Sequence, residues 1–363
     1  MVMLSIIVPI YNKSAYLENS LRSITSGSLT HFQVIMVDDG STDGSSDIAK
    51  SWAEKDKRFK YVRQDNQGLS AARNRGIKEA ETKWVTFHDA DDLLHPDAIA
   101  ALIHDAEKEE VDIAAGVFQR KNGDNIRIDK AFQTVHLIEN FEHDAKLAKK
   151  FCTHFSCCNK IFSSHIFKEH RFQPGLYMQD IDFWLRVLFA KYRFLQTEHV
   201  VATYVAHQES ESRQRKNERF ESLFQLYNGL KDYYQKKELD AQSPIWQFAL
   251  LQGAIAFFAR WKLEDNNHQD LDRICDLLND IPEIVFEDFF NEKNRGNIIP
   301  ILISIRNKNY SAAKMAHELG PQYFRQNLNR PSTLEEIYIA ANTLSSPSEP
   351  SFFTKIRTAF KKA

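Results

Sequence analysis

Three aspartates fall within four residues in His88-Asp89-Ala90-Asp91-Asp92, directly after the apolar run Trp84-Val85-Thr86-Phe87 and just ahead of Pro96, which opens a helical pattern. Like charges at that spacing repel. The cluster therefore belongs either on a solvated turn that caps the next helix or around a divalent cation that neutralises it. Carboxylate oxygens suit Mg2+ or Mn2+, and such an ion can bridge protein carboxylates to phosphate oxygens.

The elements that must carry this turn are legible upstream. Ser5-Ile6-Ile7-Val8 is a β-branched run suited to a strand buried on both faces, and Pro9 is expected to stop it. Leu17, Leu21 and Ile24 recur at helical spacing before a break at Gly27. Val34-Ile35-Met36-Val37 reads as a second strand and runs into Asp38-Asp39-Gly40-Ser41-Thr42-Asp43-Gly44, a turn rich in capping residues. A short helix, a strand over 59–63, a helix over 69–80, a strand over 84–87, a helix over 96–110 and a strand over 113–118 follow. Alternation of this kind predicts the α/β class: a mostly parallel, Rossmann-like sheet with helices on both faces. Ligands of such sheets bind beyond the carboxyl ends of the strands, where the turns 9–13, 38–44 and 88–92 must face one crevice. Residues 9–13 lack both the dinucleotide fingerprint and a Walker loop, so a diphosphate bound there needs another counter-charge, which a cation on the acidic turn would supply.

Four segments in order carry a resemblance: Ser5-Ile6-Ile7-Val8-Pro9-Ile10-Tyr11-Asn12, Val37-Asp38-Asp39-Gly40-Ser41-Thr42-Asp43-Gly44, Gln67-Gly68-Leu69-Ser70-Ala71-Ala72-Arg73-Asn74-Arg75-Gly76 and Asp89-Ala90-Asp91-Asp92. Together they resemble the family 2 glycosyltransferases of GT-A fold. The likeness continues through Asn159-Lys160-Ile161-Phe162, Phe172-Gln173-Pro174-Gly175, Asp180-Ile181-Asp182-Phe183-Trp184 and Tyr204-Val205-Ala206-His207, and stops near residue 215. The resemblance implies a nucleotide-sugar donor, most often a UDP-sugar, and inversion at the anomeric carbon in one displacement. It places Pro9, Tyr11 and Asp39 around the uracil and ribose, Arg73 near the base or diphosphate, and Asp89 by the ribose and metal. Asp91 becomes the principal ligand of Mn2+ or Mg2+, and His207 reaches the metal or diphosphate. Asp180 matches the aspartate of the family's Glu-Asp pair, which makes it the candidate general base, and it opens a helix whose N-terminus favours the ionised carboxylate, with Asp182 in reserve. Gln179 stands on the acceptor side where the family usually has glutamate, and Asn159 and Lys160 are placed there with it. His88 reads as a hydrogen-bonded structural histidine.

Lys+Arg 47 against Asp+Glu 49 gives a net charge of -2, which points to no nucleic-acid partner. The four cysteines have neither zinc-ligand spacing nor the density of a disulfide framework, so free thiols and a cytoplasmic location are expected, without a signal peptide. Residues 1–215 are assigned to the GT-A domain, 216–344 to an α-helical module and 345–363 to a linker and basic amphipathic tail. In that tail Phe352, Phe353, Ile356 and Phe360 share a helical face with Lys355, Arg357, Lys361 and Lys362 around it, a pattern suited to peripheral contact with an anionic bilayer through 352–362. The acceptor implied is a glycan or lipid-linked glycan of surface polysaccharide synthesis. The rival readings are a non-catalytic subunit that binds a nucleotide sugar or glycan, suggested by Gln179, and a sugar nucleotidyltransferase, which residues 9–14 disfavour for want of its Gly-rich basic loop.

Overall fold

In the computed structural model the described residues are 3–128, 135–138, 151, 154–190, 192–207, 216–237, 247, 248, 250, 251, 255–265, 267–281, 285 and 298–327. The strands β1 (Leu4–Ile10), β2 (Phe32–Asp39), β3 (Phe59–Gln64) and β4 (Trp84–Phe87) are joined by α1 (Ser14–Ile24), α2 (Ser45–Lys55) and α3 (Leu69–Glu79). β1 is parallel to β2 on one side and to β4 on the other, and β2 is parallel to β3. Then come β5 (Leu93–Leu94), α4 (Pro96–Lys108), β6 (Ile113–Asn122), β7 (Asn125–Ile128), β8 (His136–Ile138), β9 (Lys160–Ser163), α5 (Ile166–Glu169), α6 (Gln179–Leu188) and β10 (Phe194–Val205). The sheet runs β3-β2-β1-β4-β9-β6-β10-β5, with β7 on β6 and β8 on β10. It is mixed, because β9 is antiparallel to both β4 and β6, whereas β10 is again parallel to β6.

Both faces of β1 are buried, as its unbroken apolar run requires. Ile6 and Val8 join Leu17 and Leu21 of α1 and Ile99 and Leu102 of α4 in one core. Ile35 and Val37 of β2 meet Ala72 of α3 in another, because alternate strand residues face opposite ways. A Cβ on Gly76 would lie 2.3 Å from Ile7 Cγ2, so glycine is what lets α3 settle onto β1.

Pro9 does not stop the first strand; it pairs with Val37 and β1 continues to Ile10. The Ile7 carbonyl accepts from the His88 amide, so Ile7, and with it Pro9, turns its backbone polar groups toward β4. The last paired residue of β4 is Phe87, opposite Ile7. Pro9 therefore sits where no neighbouring strand calls for the amide that proline lacks.

The chain divides into two compact units, Met1–Tyr233 and Tyr234–Ala363. α7 (Lys216–Lys236) buries Phe220, Leu223, Leu226, Tyr227 and Leu230, and all but its last turn belongs to the first unit. The described part of the second unit is helical: α8 (Ala256–Glu264), α9 (His268–Asn279), α10 (Ile298–Arg306) and α11 (Tyr310–Asn327). Asn267 caps α9 by accepting from the Asp270 amide at 3.3 Å. No helix among the described residues is long and apolar enough to cross a membrane. Cys157, Cys158 and Cys275 carry free thiols, while Cys152 and the whole of 345–363, with the basic tail, lie outside the described residues.

Candidate active site

The loops after β1 and β2 form a braced floor. Asn12, at φ 50, accepts from the Thr42 amide at 2.8 Å and donates its own amide to Ser41 Oγ at 3.1 Å. Lys13 N donates to Ser45 Oγ and Ser14 N to Asp43 Oδ2. Burial opposes ionisation of Asp43, but the Ser45 and Ser14 donors outweigh it and hold the carboxyl down at about 2. Pro9 is buried here, and Tyr11 stands 44% exposed at the edge. Asp39, nearly fully buried, accepts from Gln64 Nε2 at 2.7 Å, the Gln67 amide at 2.9 Å and the Gly68 amide at 2.7 Å. A carboxylate has about four acceptor positions, so three are filled among the described residues. Asp39→Asn would turn an NH2 toward one of those donors. The expected result is a loss of about 1–3 kcal/mol in urea denaturation together with weaker UDP binding.

The acidic turn divides its work. Asp91 Oδ2 lies 2.5 Å from Lys13 Nζ and 2.9 Å from His207 Nε2, and the His207 ring stacks on Tyr16 with centroids 4.2 Å apart. Burial would raise the Asp91 carboxyl, but Lys13 and then His207 prevail and lower it. Asp92 faces inward and accepts from the Val205 amide at 3.0 Å; burial, then the charge of Asp89, pushes it up to about 8. His88 is buried against Ser20 Oγ at 2.9 Å, and burial lowers it to about 4. The donor set fits a divalent cation only in part. Among the described residues no three His, Cys, Asp or Glu groups converge on one point. Asp91 and His207 would offer one oxygen and one nitrogen, and the Asp91 oxygen is already shared with Lys13, so a cation would depend on phosphate oxygens and water for most of its ligands.

Arg73 of α3 is 1% exposed and lies under the crevice beside the edge-to-face pair of Phe87 and Phe172, 5.6 and 5.2 Å from their ring centroids. One terminal nitrogen donates to Asp180 Oδ1 and, at 3.1 Å, to Gln179 Oε1. The other donates to Asp89 Oδ1 at 3.1 Å and Cys158 Sγ at 3.7 Å. Asp180 opens α6 and keeps 27% of its side chain exposed. Burial raises its carboxyl and Arg73 draws it back down, leaving it above the ordinary aspartate range. Asp182, the reserve, is turned away and ion-paired with Arg186.

Asn159 and Lys160 are fully buried rather than open to the crevice. Asn159 Nδ2 donates to the Gly116 carbonyl, and Lys160 Nζ donates to the carbonyls of His154 and Ser156 and lies 4.5 Å from the Trp184 ring centre. Burial draws the Lys160 amine down to about 7. Sequence reasoning overlooked Lys13 and Tyr16. Only the adjacency of Lys13 to the Tyr11-Asn12 turn could have marked it, and nothing in the spacing marks Tyr16.

The mixed sheet flanked by helices, with polar turns at the carboxyl ends of β1, β2 and β4, is the architecture of the GT-A class of folds. Residues 5–171, a little under half of the chain, match the model of Glycosyl transferase family 2, which identifies that part as a glycosyltransferase domain of this family. It is 32% identical over 188 residues to the glycosyltransferase GlyA of Streptococcus pneumoniae serotype 4, covering 49% of this chain and 27% of GlyA. It is 27% identical over 304 residues to EpsH of Bacillus subtilis, covering 79% of this chain and 84% of EpsH. The chain thus spans about a quarter of the one relative and most of the other. The crystal structure of S. aureus TarS 1–349 in complex with UDP-GlcNAc superposes with a TM-score of 0.68 at 18% identity, over 89% of this chain and 92% of that one.

Proposed function

We propose that this chain transfers a sugar from a nucleoside diphosphate sugar, a UDP-sugar in the first instance, to a hydroxyl of a glycan or lipid-linked glycan acceptor, with inversion at the anomeric carbon. The observation that carries the reading is the meeting, at one end of one sheet, of the Asp39 pocket, the Asp91–His207 pair and the half-buried Asp180. Asp180 takes the proton of the acceptor hydroxyl as its oxygen bonds to the anomeric carbon, and the bond from that carbon to the diphosphate oxygen breaks with its electron pair leaving on the nucleotide. Lys13 and His207, both in contact with Asp91, would meet the charge released on the diphosphate. Asp91 and His207 are the residues that would hold Mn2+ or Mg2+, which when bound would neutralise diphosphate charge.

The test is calorimetric titration with UDP, and with GDP, CDP and dTDP as competitors, with and without Mn2+. UDP binding that depends on the metal and is not displaced by the other nucleotides is the expected result. Because TarS was crystallised with UDP-GlcNAc, that donor heads the panel for transfer assays. Absence of nucleotide binding under every condition would refute the reading.

A further inference from the structure

Arg73 does not sit where a side chain greets a ligand. It is buried beneath the crevice beside two aromatic rings that meet each other edge to face, and its terminal nitrogens are directed at protein groups: Asp89 from the loop after β4, Asp180 and Gln179 from α6, and the Cys158 thiol. A guanidinium is a planar fork, so two acids held by its two tines are fixed in direction as well as in distance. Only Oδ1 of Asp180 is held; among the described residues its Oδ2 has no partner, and this side chain keeps a share of its surface open.

We infer that Arg73 is a positioning residue. Its guanidinium ties the donor-side loop at Asp89 to the helix that carries the base, and turns the Asp180 carboxylate so that Oδ2 faces the acceptor hydroxyl. The inference rests on the transfer reading above, since it assumes that Asp180 is the base. It differs from the expectation drawn from the resemblance, in which Arg73 touches the nucleotide. The charged and titratable groups facing Asp180 are Arg73 from α3, Asp89 from the loop after β4, Lys160 from β9 and the thiols of Cys157 and Cys158 shortly before it. Of these only Arg73 makes contact with the carboxylate. Removing it leaves burial and Asp89 acting against the charge, and Lys160 alone for it.

The experiment compares wild type with Arg73→Lys and Arg73→Gln for UDP affinity, donor KM, kcat and the pH profile of kcat. Lysine keeps the charge and the fold's electrostatics but loses the fork. The expected result is kcat lower by about thirtyfold in the lysine variant and about a hundredfold in the glutamine variant, on the scale of a misdirected general base. UDP affinity should stay within about threefold of wild type. The acid limb of the glutamine profile should move to higher pH by about one unit, because a base deprived of its cation is protonated sooner as pH falls. A fall in UDP affinity that tracks kcat would place Arg73 on the donor and overturn the inference. So would an unmoved acid limb with only a lowered melting temperature. Should Arg73→Gln not fold, the lysine variant decides by the split between kcat and UDP affinity. If wild type transfers no sugar at all, the function reading fails by itself. A carboxyl 13C NMR titration of Asp180, assigned against Asp180→Asn, then still reports whether Arg73 sets its charge.

Discussion

Asp180→Asn is expected to bind UDP as wild type does and to lose at least about a hundredfold in transfer, the usual scale for removing a general base. The side chain keeps its size, and an amide oxygen can still accept from Arg73. The Arg73 guanidinium, buried among Asp89, Gln179 and Cys158, loses one of its two carboxylates but not its place. What disappears is the capacity to take a proton. The measurement is a single-turnover transfer assay beside a UDP titration. Near-normal transfer with intact binding would remove Asp180 from the role and shift attention to another acid. A parallel loss of binding would mean that the Arg73 cluster supports the donor floor rather than the chemistry.

Asp91→Ala is expected to weaken UDP binding in the presence of Mn2+ by at least about tenfold, or 1.4 kcal/mol. The difference between titrations with and without metal should vanish. Asp91 accepts from Lys13 and His207 at the same oxygen, so its removal leaves an ammonium and an imidazole facing one another across an empty place. That change has two consequences of opposite sign. Metal is lost, but Lys13 remains as a cation near the diphosphate, so metal-independent binding should persist at a low level. If the variant kept its metal response, the cation would have to be held elsewhere.

Much of the amino-terminal fold was legible because each step was local. Unbroken apolar runs gave β1 and β2, helical spacing gave α1 and α4, and Asp-, Gly- and Ser-rich turns fixed where strands end. The turns then had to converge, since a parallel sheet with crossover helices puts every strand's carboxyl end on one edge. Pairings between distant short segments were not legible. β9 is four residues long and inserts antiparallel between β4 and β6, and no periodicity of 160–163 announces which neighbours it will choose. Leu93–Leu94 is shorter still and pairs with Ala202 and Thr203. The same limit applies to the site. The sequence offered Arg73 as a cation near phosphate. Its burial depends on Phe87 and on Phe172, 99 positions further along, closing over it. Asn159 and Lys160 look like site residues as a polar pair, yet carbonyls of their own neighbourhood claim them. Lys13 escaped notice because its partner, Asp91, is 78 residues away.

The braces between the loops after β1 and β2 also bear on how a nucleotide arrives. Main-chain amides of Asn12, Lys13, Ser14 and Thr42 are each committed to side-chain oxygens of the facing segment, and Asp39 binds the 67–68 backbone. Those conformations are chosen when the protein folds. Ligand capture then carries little further loss of main-chain entropy on this side of the crevice. Adjustment is left to the few groups whose attachments are side chain to side chain, with Lys13 Nζ foremost among them. If the nucleotide binds as proposed, it would meet a preformed template on this side rather than a surface that orders around it.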